Sequence, residues 1–340
     1  MLRRLLLLLI GTLLLGACGG EASKPSLSET TSPKFEATST DSKSLRLRDV
    51  TLALAYIPNV QFAPFYVAES KGYYKAAGLK VKFDYNFETD VAQRLAQGNI
   101  EFAMMSGIST LLARQQGLPV VTVATINQKF PVVFVSKAKT PLAKPQDLKG
   151  KRIGLPGHYG ANYYAVLALL HANKMAERDL NLQDIGFNQV QMLLEDKVDV
   201  AVCYAVNEPI QLANKGEKLN ILSVDYPLAS DGLAVNQKLL DKDAKLVQSF
   251  VQATLHGLQA TLDDPDMAFE VSLNNIPEAK QGDSKLQRKV LQAALEFWKS
   301  DKLGFSDLTV WEKTQEFLLA SKLLNKALPL EGAVNNSFIQ

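Results

Sequence analysis

The chain reads as an α/β protein whose polypeptide leaves one lobe, builds a second and returns. Three observations predict this. From Asp49 onward, short β-branched runs alternate with longer helical ones, as sheets joined by crossover helices require. About 295 residues remain once the N-terminal region is set aside, more than a single hydrophobic core usually serves. KTPLAKPQDLKGK, with two prolines and a turn, and the strand-like DGLAVNQ at 231–237 bracket a second, self-contained α/β set.

Taken in order, VTLALAY (50–56) is a strand and FYVAESKGYYKAAG (65–78) a helix closed by Gly78. LKVKFDY (79–85) is a strand, DVAQRLAQG (90–98) a helix, IEFAMMS (100–106) a strand, STLLARQQG (109–117) a helix and VVTVATI (120–126) a strand. FPVVFVSKA (130–138) reads as one more strand of the first lobe, with the crossing after it. The second set holds RIGLP (152–156), an apolar-faced helix from 161 to 174, LNLQDIG (180–186), the helix VQMLLEDK (190–197) and the strand VDVAVCYA (198–205). It ends near ILSVDYP (221–227). The remainder is mainly amphipathic helix, as in LVQSFVQATLHGLQATL (246–262). The expected division is therefore 47–138 with 231–340 for the first lobe and 139–230 for the second. Two connections between two lobes make a hinge, a recurrent device for closing on a ligand.

The first residues follow another logic. MLRRLLLLLIGTLLLGACGG places Arg3 and Arg4 before an apolar run too short for a comfortable membrane span, the layout of a secretory signal over 1–17. Small residues then precede Cys18, as in the cleavage box of bacterial lipoproteins, so Cys18 is expected to be the lipidated first residue of the mature chain. Ser, Thr, Glu, Lys and Pro dominate the next stretch, which reads as a flexible tether over 18–46. Cys203 is then the one further cysteine, with no partner for an intrachain disulfide. The formal charge of +2, from 37 basic and 35 acidic residues spread along the chain, leaves no basic stripe for nucleic acid.

Catalytic chemistry finds little support. The histidines are His158, His171 and His256, and no HExxH, GxSxG, P-loop or paired-cysteine pattern occurs. The glycines of GLPGHYGAN do not match a dinucleotide fingerprint, and no cofactor is expected. The same stretch does offer a strand-to-helix turn, Gly157, His158, Tyr159 and Gly160, whose amides attract polar or anionic ligand groups. Polar residues also gather at two other strand ends, Ser106-Gly107 and Tyr204 to Glu208, where ligands sit in open α/β sheets. Tyr204, Asn207 and Glu208, followed by Pro209, place an aromatic and several hydrogen-bonding groups at one such end. If Glu208 faces a cleft, a carboxylate beside aromatics suits a heterocycle with N–H donors; otherwise it serves the dipole of the following helix.

These residues also carry a family likeness. YIPNVQFAPFYVAESKGYYKAAGLKV, DVAQRLAQGNIEFAMMSG, PQDLKGKRIGLPG and VDVAVCYAVNEP occur in an order that resembles the substrate-binding proteins of ABC importers, in the branch of thiamine-pyrimidine-precursor, riboflavin, sulfonate and taurine binders. The likeness runs from about Leu47 to Thr261. IPNVQFAPFYVA, QKFP and NEP look most like the binders of vitamin-type heteroaromatics, the riboflavin binders among them. The resemblance implies a periplasmic-binding-protein type II fold and a lipid-anchored receptor at the extracytoplasmic face of the cell membrane. It would act as a monomer that captures riboflavin or a related small heteroaromatic ligand and docks on an ABC permease. An aminopyrimidine thiamine precursor or a sulfonate such as taurine is the alternative ligand. By family position, Asn59, Phe62, Phe87, Glu88, Ser106, Gln128, Gly157, His158, Tyr159, Gly160, Tyr204, Asn207 and Glu208 would line the cleft. One relative on this fold is an enzyme, the pyrimidine synthase that consumes its own histidine and pyridoxal phosphate; the export signal and the lack of a cysteine cluster set this chain apart from it. A purely structural surface lipoprotein would bind no small molecule tightly.

Overall fold

The computed structural model describes residues 46–85, 90–276 and 283–339. Two five-stranded sheets carry the fold. The first contains β1 (Arg48–Ala53), β2 (Leu79–Asp84), β3 (Phe102–Ser106), β4 (Val120–Thr125) and, much later in the chain, β10 (Asp231–Asn236), in the order β2-β1-β3-β10-β4. The second contains β5 (Val132–Lys137), β6 (Arg152–Leu155), β7 (Asn181–Asp184), β8 (Val200–Tyr204) and β9 (Leu219–Ser223), in the order β7-β6-β8-β5-β9. In each sheet four strands run in one direction, and the strand that has just arrived from the other lobe, β10 or β5, lies antiparallel between its neighbours.

One strand departs from the expected division. β5 pairs with β8 and β9, so it belongs to the second sheet, and the chain crosses before it rather than after residue 138. All six residues of β5 are buried. A continuous apolar run announces a strand covered on both faces, but it does not say which sheet supplies the cover. The two crossing segments are therefore 126–131 and 224–230. They meet where the second enters β10: the backbone oxygen of Asp231, the first residue of that strand, accepts from the amides of Ile126 and Asn127, both at 3.0 Å.

The connecting helices are α1 (Ala63–Ser70), α2 (Tyr73–Ala76), α3 (Val91–Gln97) and α4 (Gly107–Gln115) in the first lobe, and α5 (Gly160–Ala172), α6 (Gln189–Leu194) and α7 (Glu208–Asn214) in the second. The single helix expected over 65–78 is two, because Gly72 takes φ 74°, a left-handed turn that ends α1 and opens α2. After β10, α8 (Gln237–Asp263), α9 (Pro265–Asn275), α10 (Ser284–Trp298) and α11 (Leu308–Ala320) return to the first lobe. Phe250 of α8 stacks on Phe102 at 3.7 Å between ring centres, and Tyr74 stacks on Phe250 from the other side at 5.3 Å. The distant helix α8 thus packs onto a core strand.

The lobes meet in two places. Val206, at the end of the second sheet, is buried in the first lobe's core, and Ile210 of α7 packs against the same cluster. A separate cluster gathers Ile108 and Leu111 of α4, Ala168 of α5, Leu228 and Ala229 of a crossing segment, and Trp311 and Phe317 of α11.

Candidate functional site

Between the lobes, at the carboxyl ends of the parallel strands, lies a cleft of about 1130 Å³, part of it open to solvent. Tyr56, Phe62, Phe65, Tyr159, Phe187, Tyr204, Phe297 and Trp298 give it aromatic walls. This is where strand-end side chains converge in doubly wound sheets.

One wall comes from the connection after β1. Asn59 caps a 3-10 turn, Val60–Phe62, its side-chain oxygen accepting from the Gln61 amide at 3.0 Å and from Gln61 Nε2 at 3.2 Å. Pro64 occupies the first turn of α1, where its missing N–H costs nothing. The stiffened connection presents Gln61, Phe62 and Phe65 to the cleft. Asn59 itself is a buried cap and is not among the lining residues.

The second lobe supplies the start of α5 and the end of β8. Tyr159, Gly160, Ala161 and Asn162 line the cleft. Gly157 acts indirectly: a Cβ there would sit 2.3 Å from the Tyr159 ring, so the glycine makes room for that aromatic. His158 turns aside, its Nδ1 2.7 Å from Asp184 Oδ1. Asn162 Nδ2 donates to the Val202 carbonyl at 2.9 Å.

At the end of β8, Glu208 accepts from the Tyr204 amide and from Asn207 Nδ2, both at 2.9 Å. Asn207 Nδ2 also reaches the Tyr56 hydroxyl at 3.3 Å, and Tyr56 meets Phe187 edge-on at 4.9 Å. Both contacts join the lobes across the cleft. Burial pushes the Glu208 carboxyl above its ordinary range, and these donors oppose the shift only in part.

The crossing segments form a third wall that the sequence did not announce. Asp231 Oδ2 accepts from Asn127 Nδ2 at 3.0 Å and from the Tyr204 hydroxyl at 3.3 Å. Trp298 Nε1 of α10 donates to Asn127 Oδ1 at 3.0 Å. Burial raises the Asp231 carboxyl as well.

Of the residues expected at the site, Phe62, Tyr159, Gly160, Tyr204, Asn207 and Glu208 line the cleft. Ser106 does not: it is buried and caps α4 by accepting from the Ser109 amide at 3.1 Å. Gln128 donates to the Thr125 carbonyl at 2.8 Å, and its amide holds the Phe297 carbonyl at 2.7 Å, which brings α10 to the cleft. Phe87, Glu88 and Cys18 lie outside the described residues. Tyr56, Asn127, Phe187, Asp231, Phe297 and Trp298 were missed. Asn127 and Asp231 flank the hinge and were open to inference from it, whereas nothing local marks Trp298.

The lining is chemically one-sided. Among the described residues it contains two carboxylates and no lysine, arginine or histidine. Such a cleft suits a flat, uncharged ring bearing N–H or O–H donors, with the amides at the start of α5 available to carbonyl groups.

The chain is 46% identical to a protein of Chloroflexus aurantiacus named riboflavin-binding protein RibY, over 99% of this chain and 98% of that one. A formylaminopyrimidine-binding protein of Halalkalibacterium halodurans is 27% identical over 88% and 93%. A 4-amino-5-hydroxymethyl-2-methylpyrimidine phosphate synthase of Legionella pneumophila is 22% identical over 87% and 93%. In fold, the chain is similar to the periplasmic aliphatic sulphonate binding protein SsuA of Escherichia coli, with a TM-score of 0.67, 12% identity and coverage of 84% and 96%. The two-lobed architecture is that of periplasmic binding proteins. With a family match spanning residues 59–268 and a near full-length relative sharing almost half its residues, the chain belongs to the NMT1/THI5 like family.

Proposed function

We propose that this protein is the extracytoplasmic receptor of an ABC importer and captures riboflavin, or a closely related vitamin-type heteroaromatic, for uptake. The observation that carries the reading is the composition of the cleft: aromatic faces, hydrogen-bond acceptors and no base among the described residues. A buried amide left unpaired costs about 1 to 3 kcal/mol, so a ring whose N–H and C=O groups meet the strand ends gains selectivity as well as affinity. The name of the relative that is 46% identical supports the same ligand. A sulfonate fits poorly, because its charge would meet the Asp231 carboxylate with no cationic side chain among the described lining residues to balance it.

The enzyme reading is weaker on the same ground. The synthase chemistry implied by the family likeness draws on a histidine and pyridoxal phosphate, and neither a histidine nor a lysine lines the cleft among the described residues. The protein is read as a binder and not as an enzyme. Cys18 would carry the lipid, at about 0.8 kcal/mol of membrane affinity per buried CH₂. Among the described residues no helix is long and apolar enough to cross a membrane. Residues 18–46 would tether the receptor at the extracytoplasmic face, where it works as a monomer beside its permease.

Flavin fluorescence tests the reading. Titrating the protein into riboflavin should quench the emission with a Kd of about 1 μM or below, which corresponds to about −8 kcal/mol. Binding of the aminopyrimidine precursor or of taurine at that concentration, with riboflavin unbound, would overturn the ligand assignment. Mass spectrometry of the membrane-extracted protein should find acyl chains on Cys18, and an unmodified Cys18 would remove the anchor from the account.

A further inference from the structure

Glu208 and Asp231 both line the cleft, yet their oxygens are engaged differently. Glu208 spends both on the protein, Oε2 on the Tyr204 amide and Oε1 on Asn207 Nδ2. Asp231 uses Oδ2 alone, for Asn127 Nδ2 and the Tyr204 hydroxyl. Among the described residues its Oδ1 meets no donor, and it is not sealed away. Among the described residues, Arg94 Nη1 is the buried side-chain nitrogen or oxygen that lacks a partner, and Asp231 is only half-buried. The carboxylate is also held firmly. Its own backbone oxygen takes the Ile126 and Asn127 amides, and Trp298 Nε1 fixes Asn127 from behind.

We propose that Asp231 is the specificity-determining carboxylate of the cleft: Oδ1 accepts an N–H or O–H of an uncharged ligand, and the group excludes phosphorylated or sulfonated forms. The inference rests on the flavin reading above and names the form of the vitamin that is taken, free riboflavin rather than its phosphate ester. The countercharges do not rescue the ester. No basic side chain lines the cleft among the described residues. The amides at the start of α5 offer about half an elementary charge, against about −1.5 to −2 for a phosphate monoester. Glu208, with both oxygens satisfied, shapes the site without discriminating between the two ligands.

The test is a titration of riboflavin and of riboflavin 5′-phosphate against the full chain, its Asp231→Asn variant and its Glu208→Gln variant. The unsubstituted chain should prefer riboflavin by about a hundredfold, and Asp231→Asn should weaken riboflavin about tenfold while narrowing that preference by about tenfold. Glu208→Gln should weaken both ligands by similar factors and leave the preference intact. An unchanged preference in Asp231→Asn, or equal losses of both ligands, overturns the proposal. If the amide variant does not fold, Asp231→Ser serves the same comparison. Failure of the unsubstituted chain to bind either flavin contradicts the flavin reading, and this inference with it.

Discussion

Two walls of one cleft were built by different means. The wall after β1 is local: Pro58, Asn59 and Pro64 stiffen a connection of a few residues, and the aromatics Phe62 and Phe65 follow from it. The hinge wall is assembled from Asn127, Asp231 and Trp298, which lie in three separate parts of the chain. The local wall can lose a capping bond and keep its shape through its prolines. The hinge wall depends on a chain of hydrogen bonds, so a single deletion should disturb both fold and ligand.

The sharpest break is expected at Trp298→Ala. This fully buried indole fills the first core and orients Asn127, so its loss should cost about 3 to 5 kcal/mol of stability and weaken ligand binding as well. A melting curve with a parallel titration would show both. Unaltered affinity in a folded variant would mean that the hinge wall does not position the site. Tyr204→Ala and Glu208→Ala should weaken binding about tenfold or more, with melting temperatures within a few degrees of the parent. Large thermal losses would make both residues core rather than site.

On the local wall, Asn59→Ala should cost about 1 kcal/mol of stability, as the loss of a cap usually does, with ligand affinity within about twofold. A tenfold loss of affinity would show that Asn59 acts on the ligand after all. The smallest effect concerns pH. The folded carboxyls of Asp231 and Glu208 hold their protons to higher pH than they would in the unfolded chain. The native state therefore binds more protons in that window, and these two groups lower stability as pH rises through and above the ordinary carboxylate range. Asp231→Asn should thus gain on the parent at neutral pH, and the gap should shrink toward pH 4. A gap that widens on acidification would contradict the burial of this carboxylate.

The same contrast explains what was legible beforehand. The alternation of strands and helices, the return of the chain at β10 and the strand end at Tyr204 to Glu208 are written in short spans. The sheet to which β5 belongs is not, because a buried run such as VVFVSK looks alike in either lobe. Asn59 and Ser106 were expected to meet the ligand and instead cap short turns and helices. A polar residue at a strand end has the same local signature in both roles, and only the direction of its side chain separates them. Asp231 had a weaker signal still, since its role arises from the meeting of two crossing segments.

Calorimetric titration of the unsubstituted protein with riboflavin and taurine side by side bears most directly on the central claim, that the cleft recognises a flat, uncharged heteroaromatic. Riboflavin should bind with a Kd of about 1 μM or tighter and a negative heat-capacity change from buried apolar surface, while taurine gives no heat of binding. Micromolar binding of taurine, with riboflavin silent to millimolar concentration, would contradict it.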